Sequence, residues 1–289
     1  LLNRSIKIKP NQSEAYMDLG IAFQSKSNFK AAIVLFQKAI DMNPRYPEAY
    51  NNLGICFQRE KNLIMAFSSY QQAIKLKPNY AEAHNNIGVA FRQQGKVADA
   101  VDSYQRATKL KPEYSEAHNN LGVALHQQDK FTDAIASLQQ AIKLKPNYPE
   151  AYNNLANSLQ SKGNLDEAIT FFRQAIRLKP NYPEAYNNLG VALKEKGSIA
   201  DAIISFQKAI ELRPGYADAY WNLSLGQLLS GDYISGWENY EWRWKQNTIT
   251  LHTSPKIKRW DESTLRKDCK LLIVSEQGLG DTLQYMRYI

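Results

Sequence analysis

Seven polar residues recur at one fixed interval: Asp18, Asn52, Asn86, Asn120, Asn154, Asn188 and Asn222 each stand 34 residues after the last. A carboxamide carries two N–H donors and an acceptor oxygen. A row of them matches the alternating C=O and N–H groups of an extended peptide and reads its backbone with little regard to side chains. Asparagine inside a helix costs up to ~0.7 kcal/mol relative to alanine, and the neighbours Asn51, Asn85, Asn119, Asn153 and Asn187 double that burden. Two explanations offset it: a structural hydrogen bond to the adjoining helix, or a ligand in a groove. Recent duplication explains the row less well, because another position of the same units has drifted through Ser25, Arg59, Gln93, Gln127, Ser161 and Glu195.

Other reactive side chains carry weaker signals. His84 and His118 occupy positions filled by Tyr50, Tyr152 and Tyr186 in sister segments, so packing explains them better than metal binding. Cys56 takes a place where related segments mostly carry alanine, Cys269 lies far from it, and neither suggests a disulfide. No metal site and no cofactor are expected, and no nucleophile sits beside a base in the repeats. Glu14, Glu48, Glu82, Glu116, Glu150 and Glu184 fall where a first helical turn favours negative charge, and they would make a groove mildly acidic. The net charge of +8 is traced largely to basic residues placed just before recurring prolines, at helix C-termini. Nucleic acid is therefore not an expected partner, and base-reading helical repeats would in any case vary their groove positions rather than hold them constant. No apolar run is long enough to cross a bilayer, and the first ten residues lack the order of a signal peptide, so a soluble, cytoplasmic protein without membrane partners is expected.

The elements that must position the asparagines follow from the prolines. Pro10, Pro44, Pro78, Pro112, Pro146, Pro180 and Pro214 are 34 residues apart, which defines six complete units over 13–216. Residues 1–12 read as the end of a truncated repeat, 217–248 as a degenerate capping repeat, and 249–289 as a linker and the start of another domain. Within each unit the pattern predicts two helices. Gly20, Gly54, Gly88, Gly122 and Gly190, with Ala156 as the exception, let them approach. Phe36, Tyr70, Tyr104, Leu138, Phe172 and Phe206 supply bulk between small alanines of the second helix. Positions four, seven, eight and eleven of each first helix form the expected packing stripe; positions two, six, nine and thirteen form the groove stripe.

Residues recurring in register, such as Ala83, Leu121, Gly122, Ala134, Leu138, Ala141 and Pro146, resemble the tetratricopeptide repeat over about residues 1–245. The resemblance implies an all-α helix-turn-helix solenoid, wound as a right-handed superhelix, that binds a protein partner. The asparagine row is similar to the ladder of the O-linked N-acetylglucosamine transferase repeats, which holds protein substrate in that family; Asp18 departs from it. All five tryptophans, Trp221, Trp237, Trp242, Trp244 and Trp260, fall within forty residues and suit a capping and docking seam. Beyond them, KLLIVSEQ at 270–277, the loop Gly278 to Asp281 and TLQYMRYI read as a short β-loop-α segment. With WDES at 260–263 this segment resembles the opening of a bacterial glycosyltransferase-like domain, and the resemblance implies Asp281 as a general base in a full-length parent. A nucleotide sugar would be a partner of that parent alone. The expected function is a non-enzymatic scaffold that grips an extended polypeptide, as the substrate-recruiting arm of a larger glycosyltransferase; the alternative is an assembly or chaperone scaffold. Truncated ends would favour self-association.

Overall fold

The computed structural model describes residues 13–245. The expected end of a repeat at 1–12, Trp260, Cys269, the β-loop-α segment and Asp281 lie outside the described residues. Within them the chain is all-α: α1 (Ser13–Ser25), α2 (Phe29–Met42), α3 (Pro47–Arg59), α4 (Leu63–Leu76), α5 (Ala81–Gln93), α6 (Val97–Leu110), α7 (Ser115–His126), α8 (Phe131–Leu144), α9 (Pro149–Ser161), α10 (Leu165–Leu178), α11 (Pro183–Glu195), α12 (Ile199–Leu212), α13 (Ala217–Ser230) and α14 (Tyr233–Tyr240), then a 3-10 turn over Glu241–Lys245. Odd-numbered helices are the first of each unit and even-numbered ones the second.

Close approach inside a unit depends on the missing side chain at position eight. A Cβ added to Gly54 would stand 2.6 Å from the Tyr70 ring, and one on Gly190 would stand 2.5 Å from Phe206. The large residue opposite is fully buried in each complete unit, as are the alanines flanking it, among them Ala134, Ala141, Ala168 and Ala175. The turn between helices has a second requirement, invisible in the periodic apolar pattern. Position fifteen adopts a left-handed backbone in every unit, through Gly95, Gly163, Gly197 and Gly231, but also through Ser27, Lys61 and Asp129 at φ of 58° to 60°. The last three accept a strain of about 1–2 kcal/mol to keep the same turn.

Each first helix touches the first helix of the next unit, whereas among the described residues no second helix touches the next second helix. First helices are thus the more tightly spaced layer, and the array must curve with them on its inner face. The packing stripe is also wider than the sequence pattern predicts. On α5 the buried residues are Ala81, Ala83, Asn85, Ile87, Gly88 and Ala90, while His84 and Phe91, at positions four and eleven, are only half-buried. A first helix is covered by its own partner, by the preceding second helix and by neighbouring first helices, so position five enters the interior too.

The degenerate last unit closes differently. Helix α14 has 8 residues against 14 for α12. Trp242 stacks on Tyr220 with centroids 3.8 Å apart, Trp221 and Trp237 pack against Tyr240, and Arg243 lies over the rings of Tyr240 and Trp244. Arg243 takes the place held by alanine in the complete units, such as Ala209.

Candidate functional site

The seven ladder residues sit on α1, α3, α5, α7, α9, α11 and α13, one per first helix, on the inner face. The six asparagines are half-buried and Asp18 is exposed. Beside them run Ile21, Ile55, Val89, Val123 and Val191 at position nine, an apolar strip with Asn157 as its polar exception. The groove therefore joins carboxamides to small apolar side chains, a surface suited to a peptide backbone with modest side-chain contact.

The carboxamides are tied together. Asn86 Nδ2 donates to Asn51 Oδ1 at 2.9 Å, Asn120 to Asn85 at 3.0 Å, Asn154 to Asn119 at 3.0 Å, Asn188 to Asn153 at 3.1 Å and Asn222 to Asn187 at 3.0 Å. Each acceptor belongs to the preceding unit and is almost wholly buried; Asn85 has no exposure at all. This is the structural hydrogen bond that the sequence left as one of two explanations. It does not exhaust the ladder. An amide that gives one N–H to its neighbour keeps a second N–H and its oxygen, and among the described residues Asn86, Asn120 and Asn154 make no other side-chain hydrogen bond. At Asn188 the oxygen also lies 3.5 Å from Asn187 Nδ2. Position five, assigned to neither stripe in the sequence, is the missed partner of the ladder.

A tyrosine row was missed as well. Lys77, Lys111, Lys145 and Lys179 lie over the rings of Tyr80, Tyr114, Tyr148 and Tyr182 at 4.5 to 5.1 Å, and Arg213 lies over Tyr216. Asn85 Nδ2 reaches Tyr114 Oη at 3.4 Å, linking this row to the buried asparagines. Burial pushes the Tyr80 and Tyr148 phenols up to about 12, with nearby glutamates adding to the effect, and raises Tyr114 and Tyr182 too. All four stay neutral hydroxyls at physiological pH.

The same basic residues correct the expectation of an acidic groove. Lys77 pairs with Glu48 at 3.0 Å, Lys111 with Glu82 at 2.8 Å, Lys179 with Glu150 at 2.9 Å, and Arg213 with Glu184. Burial alone would raise the carboxyls of Glu82, Glu150 and Glu184. The hydrogen bond from the facing cation, a backbone N–H bond and the cation's charge outweigh it and hold all three below the ordinary glutamate value. Four of the six glutamates are thus neutralised rather than lending the groove their charge, and the cations, which stand at the helix C-caps, serve these pairs as well as the helix ends. The exceptions are Glu14 and Glu116, both exposed. Each exposed pair is worth about 0–1 kcal/mol.

His84 and His118 donate from Nε2 to the carbonyls of Pro78 and Pro112 at 3.0 and 2.9 Å, fastening the start of a first helix to the preceding turn. Among the described residues no group of three or more His, Cys, Asp or Glu converges on one point, and no helix is long and apolar enough to cross a membrane. Cys56 is buried, and burial pushes its thiol up to about 12, so it is no nucleophile.

Comparison with solved structures gives tetratricopeptide-repeat folds. The chain is similar to the Cut9–Hcn1 hetero-tetramer of the APC/C (20% identity, TM-score 0.71, 78% of this chain and 44% of that one). It is also similar to pilF of Pseudomonas aeruginosa (22%, TM-score 0.64, 72% and 94%). A third similar structure is YrrB, described as a TPR protein with an unusual peptide-binding site (27%, TM-score 0.53, 64% and 95%). The chain spans less than half of the first of these. No curated protein matches. A family model described as the cilia and flagella-associated protein 70 C-terminal domain, a TPR domain, matches residues 5–221, and the chain belongs to that family of tetratricopeptide-repeat domains.

Proposed function

We propose that the inner face of the array holds an extended polypeptide by its backbone, with Asn86, Asn120 and Asn154 at the centre of the ladder as the gripping groups and without chemistry in these residues. The observation that carries this function is the amide geometry: each of Asn86, Asn120 and Asn154 gives one N–H to a buried neighbour and keeps an acceptor and a donor for a ligand. YrrB, similar in fold, is itself described as peptide-binding. Neighbouring first helices lie about 10 Å apart and a strand rises about 3.3 Å per residue, so one rung meets about every third peptide residue. Side chains between rungs go largely unread. The parent reading, a cytoplasmic substrate-recruiting arm of a glycosyltransferase, rests on the ladder's resemblance and on residues 260–289; a non-enzymatic assembly scaffold is the alternative parent, and binding of a nucleotide sugar by a longer chain that continues past residue 289 would separate the two.

The test uses fluorescein-labelled peptides of Ser, Thr, Val and Ala at lengths of about 6, 12 and 18 residues, each in several scrambled orders. Affinity is expected to rise with length, to change little on scrambling, and to depend weakly on salt. Equal binding at all lengths would overturn the function, as would preference for single-stranded RNA with the steep salt dependence of phosphate contacts.

A further inference from the structure

The seven ladder positions are not equivalent, and the difference lies behind the groove. A rung's orientation is fixed by the residue 35 positions earlier, at position five of the preceding unit. For Asn86, Asn120, Asn154, Asn188 and Asn222 that residue is a buried asparagine whose oxygen accepts the rung's N–H. For Asn52 it is Met17, which is 5% exposed, packs with Phe36, Ala49 and Leu53, and offers no amide. Asn52 makes no side-chain hydrogen bond in the described residues, and Asp18, exposed on the same face, is acceptor-only when ionised.

An anchored amide has its rotation restricted before any ligand arrives, and its flip is set because the N–H must face the buried oxygen. A loose amide must lose that freedom on binding, at a cost in affinity per immobilised side chain. We propose that the peptide-holding groove consists of five preset rungs, Asn86 to Asn222, with Asn52 and Asp18 outside it, and that the buried position-five asparagines are positioning residues for binding. This rests on the peptide-groove function above and deepens it by giving the groove a start, a length and a second row of residues that never touch the ligand. Four intervals of about 10 Å correspond to a peptide of about 12 residues; all seven positions would require about 18.

The experiment measures binding of the same labelled peptides to the intact chain and to the variants Asn52→Ala, Asn120→Ala and Asn85→Ala, each first shown to be folded by its helical circular dichroism and a cooperative melt. Asn52→Ala is expected to bind within about twofold of the wild type, and Asn120→Ala and Asn85→Ala about 2- to 10-fold more weakly, with affinity levelling off near 12 residues. The Asn85→Ala result carries a readout that general destabilisation would not move. Hydrogen exchange of the Asn120 side-chain amide, slower than that of Asn52 in the wild type, should become as fast as Asn52 in the variant. If Asn52→Ala weakens binding as much as Asn120→Ala, or affinity keeps climbing to about 18 residues, the five-rung groove is wrong while peptide holding stands. If no ladder variant changes binding, both fail.

Discussion

Replacing Phe172 by alanine is expected to lower stability by about 3–5 kcal/mol and to divide the array into two melting units. Phe172 is fully buried, in one cluster with Leu155, Leu159, Leu189 and Leu193, so it joins the fifth unit to the sixth as well as its own helices to each other. Ala156 faces it where other units have glycine, and alanine at both places would leave a cavity with nothing flexible nearby to fill it. In a solenoid, stability is a sum of unit and nearest-neighbour terms, so a lost interface uncouples the flanking segments instead of unfolding everything together. Calorimetry should replace one cooperative transition by two. A single transition with an unchanged midpoint would contradict the packing described for α9 to α11.

Changing Asn86, Asn120 and Asn154 together to alanine is expected to destabilise the fold by about 1–7 kcal/mol. Each substitution leaves a buried oxygen, on Asn51, Asn85 or Asn119, without its donor. Such a loss costs about 1–3 kcal/mol, and the better helix propensity of alanine returns up to ~0.7 kcal/mol. The three bonds share no residue, so their effects should nearly add. Urea denaturation checks this, with Asn52→Ala as the control, since Met17 stands where its partner would be and nothing is orphaned. Equal losses in the control and in any single anchored rung would mean that the inter-unit bonds contribute nothing. The same result warns that reduced peptide binding by the triple variant would be ambiguous, because groove and scaffold would be altered at once.

The 34-residue period made the helices, their order and the glycine-against-aromatic seam legible from sequence, since each depends on local spacing and residue size. The ladder was legible as a row, but its division of labour was not. Whether Asn120 or Asn85 stays half-exposed depends on which helices adjoin, and a contact between residues 35 apart has no local signature. The lysines before the prolines do stand at helix ends, but their pairing was hidden for the same reason: Lys111 reaches 29 residues back to Glu82. The left-handed turn position was hidden because Ser27, Lys61 and Asp129 take it without glycine. Position five was noted as costly but placed on neither stripe, and the packing of neighbouring first helices buries it.

The most direct test of peptide holding leaves the chain unaltered. In the intact protein labelled with nitrogen-15 at asparagine, the side-chain amide signals are followed while an extended peptide of about 12 residues is added. If the ladder holds the backbone, the signals of Asn86, Asn120, Asn154, Asn188 and Asn222 shift together and saturate with one affinity, while buried Asn85 and Asn119 move less. If those five signals stay in place and the indole signals of Trp221 and Trp237 shift instead, the peptide sits on the tryptophan-rich end and the ladder serves only to join the repeats.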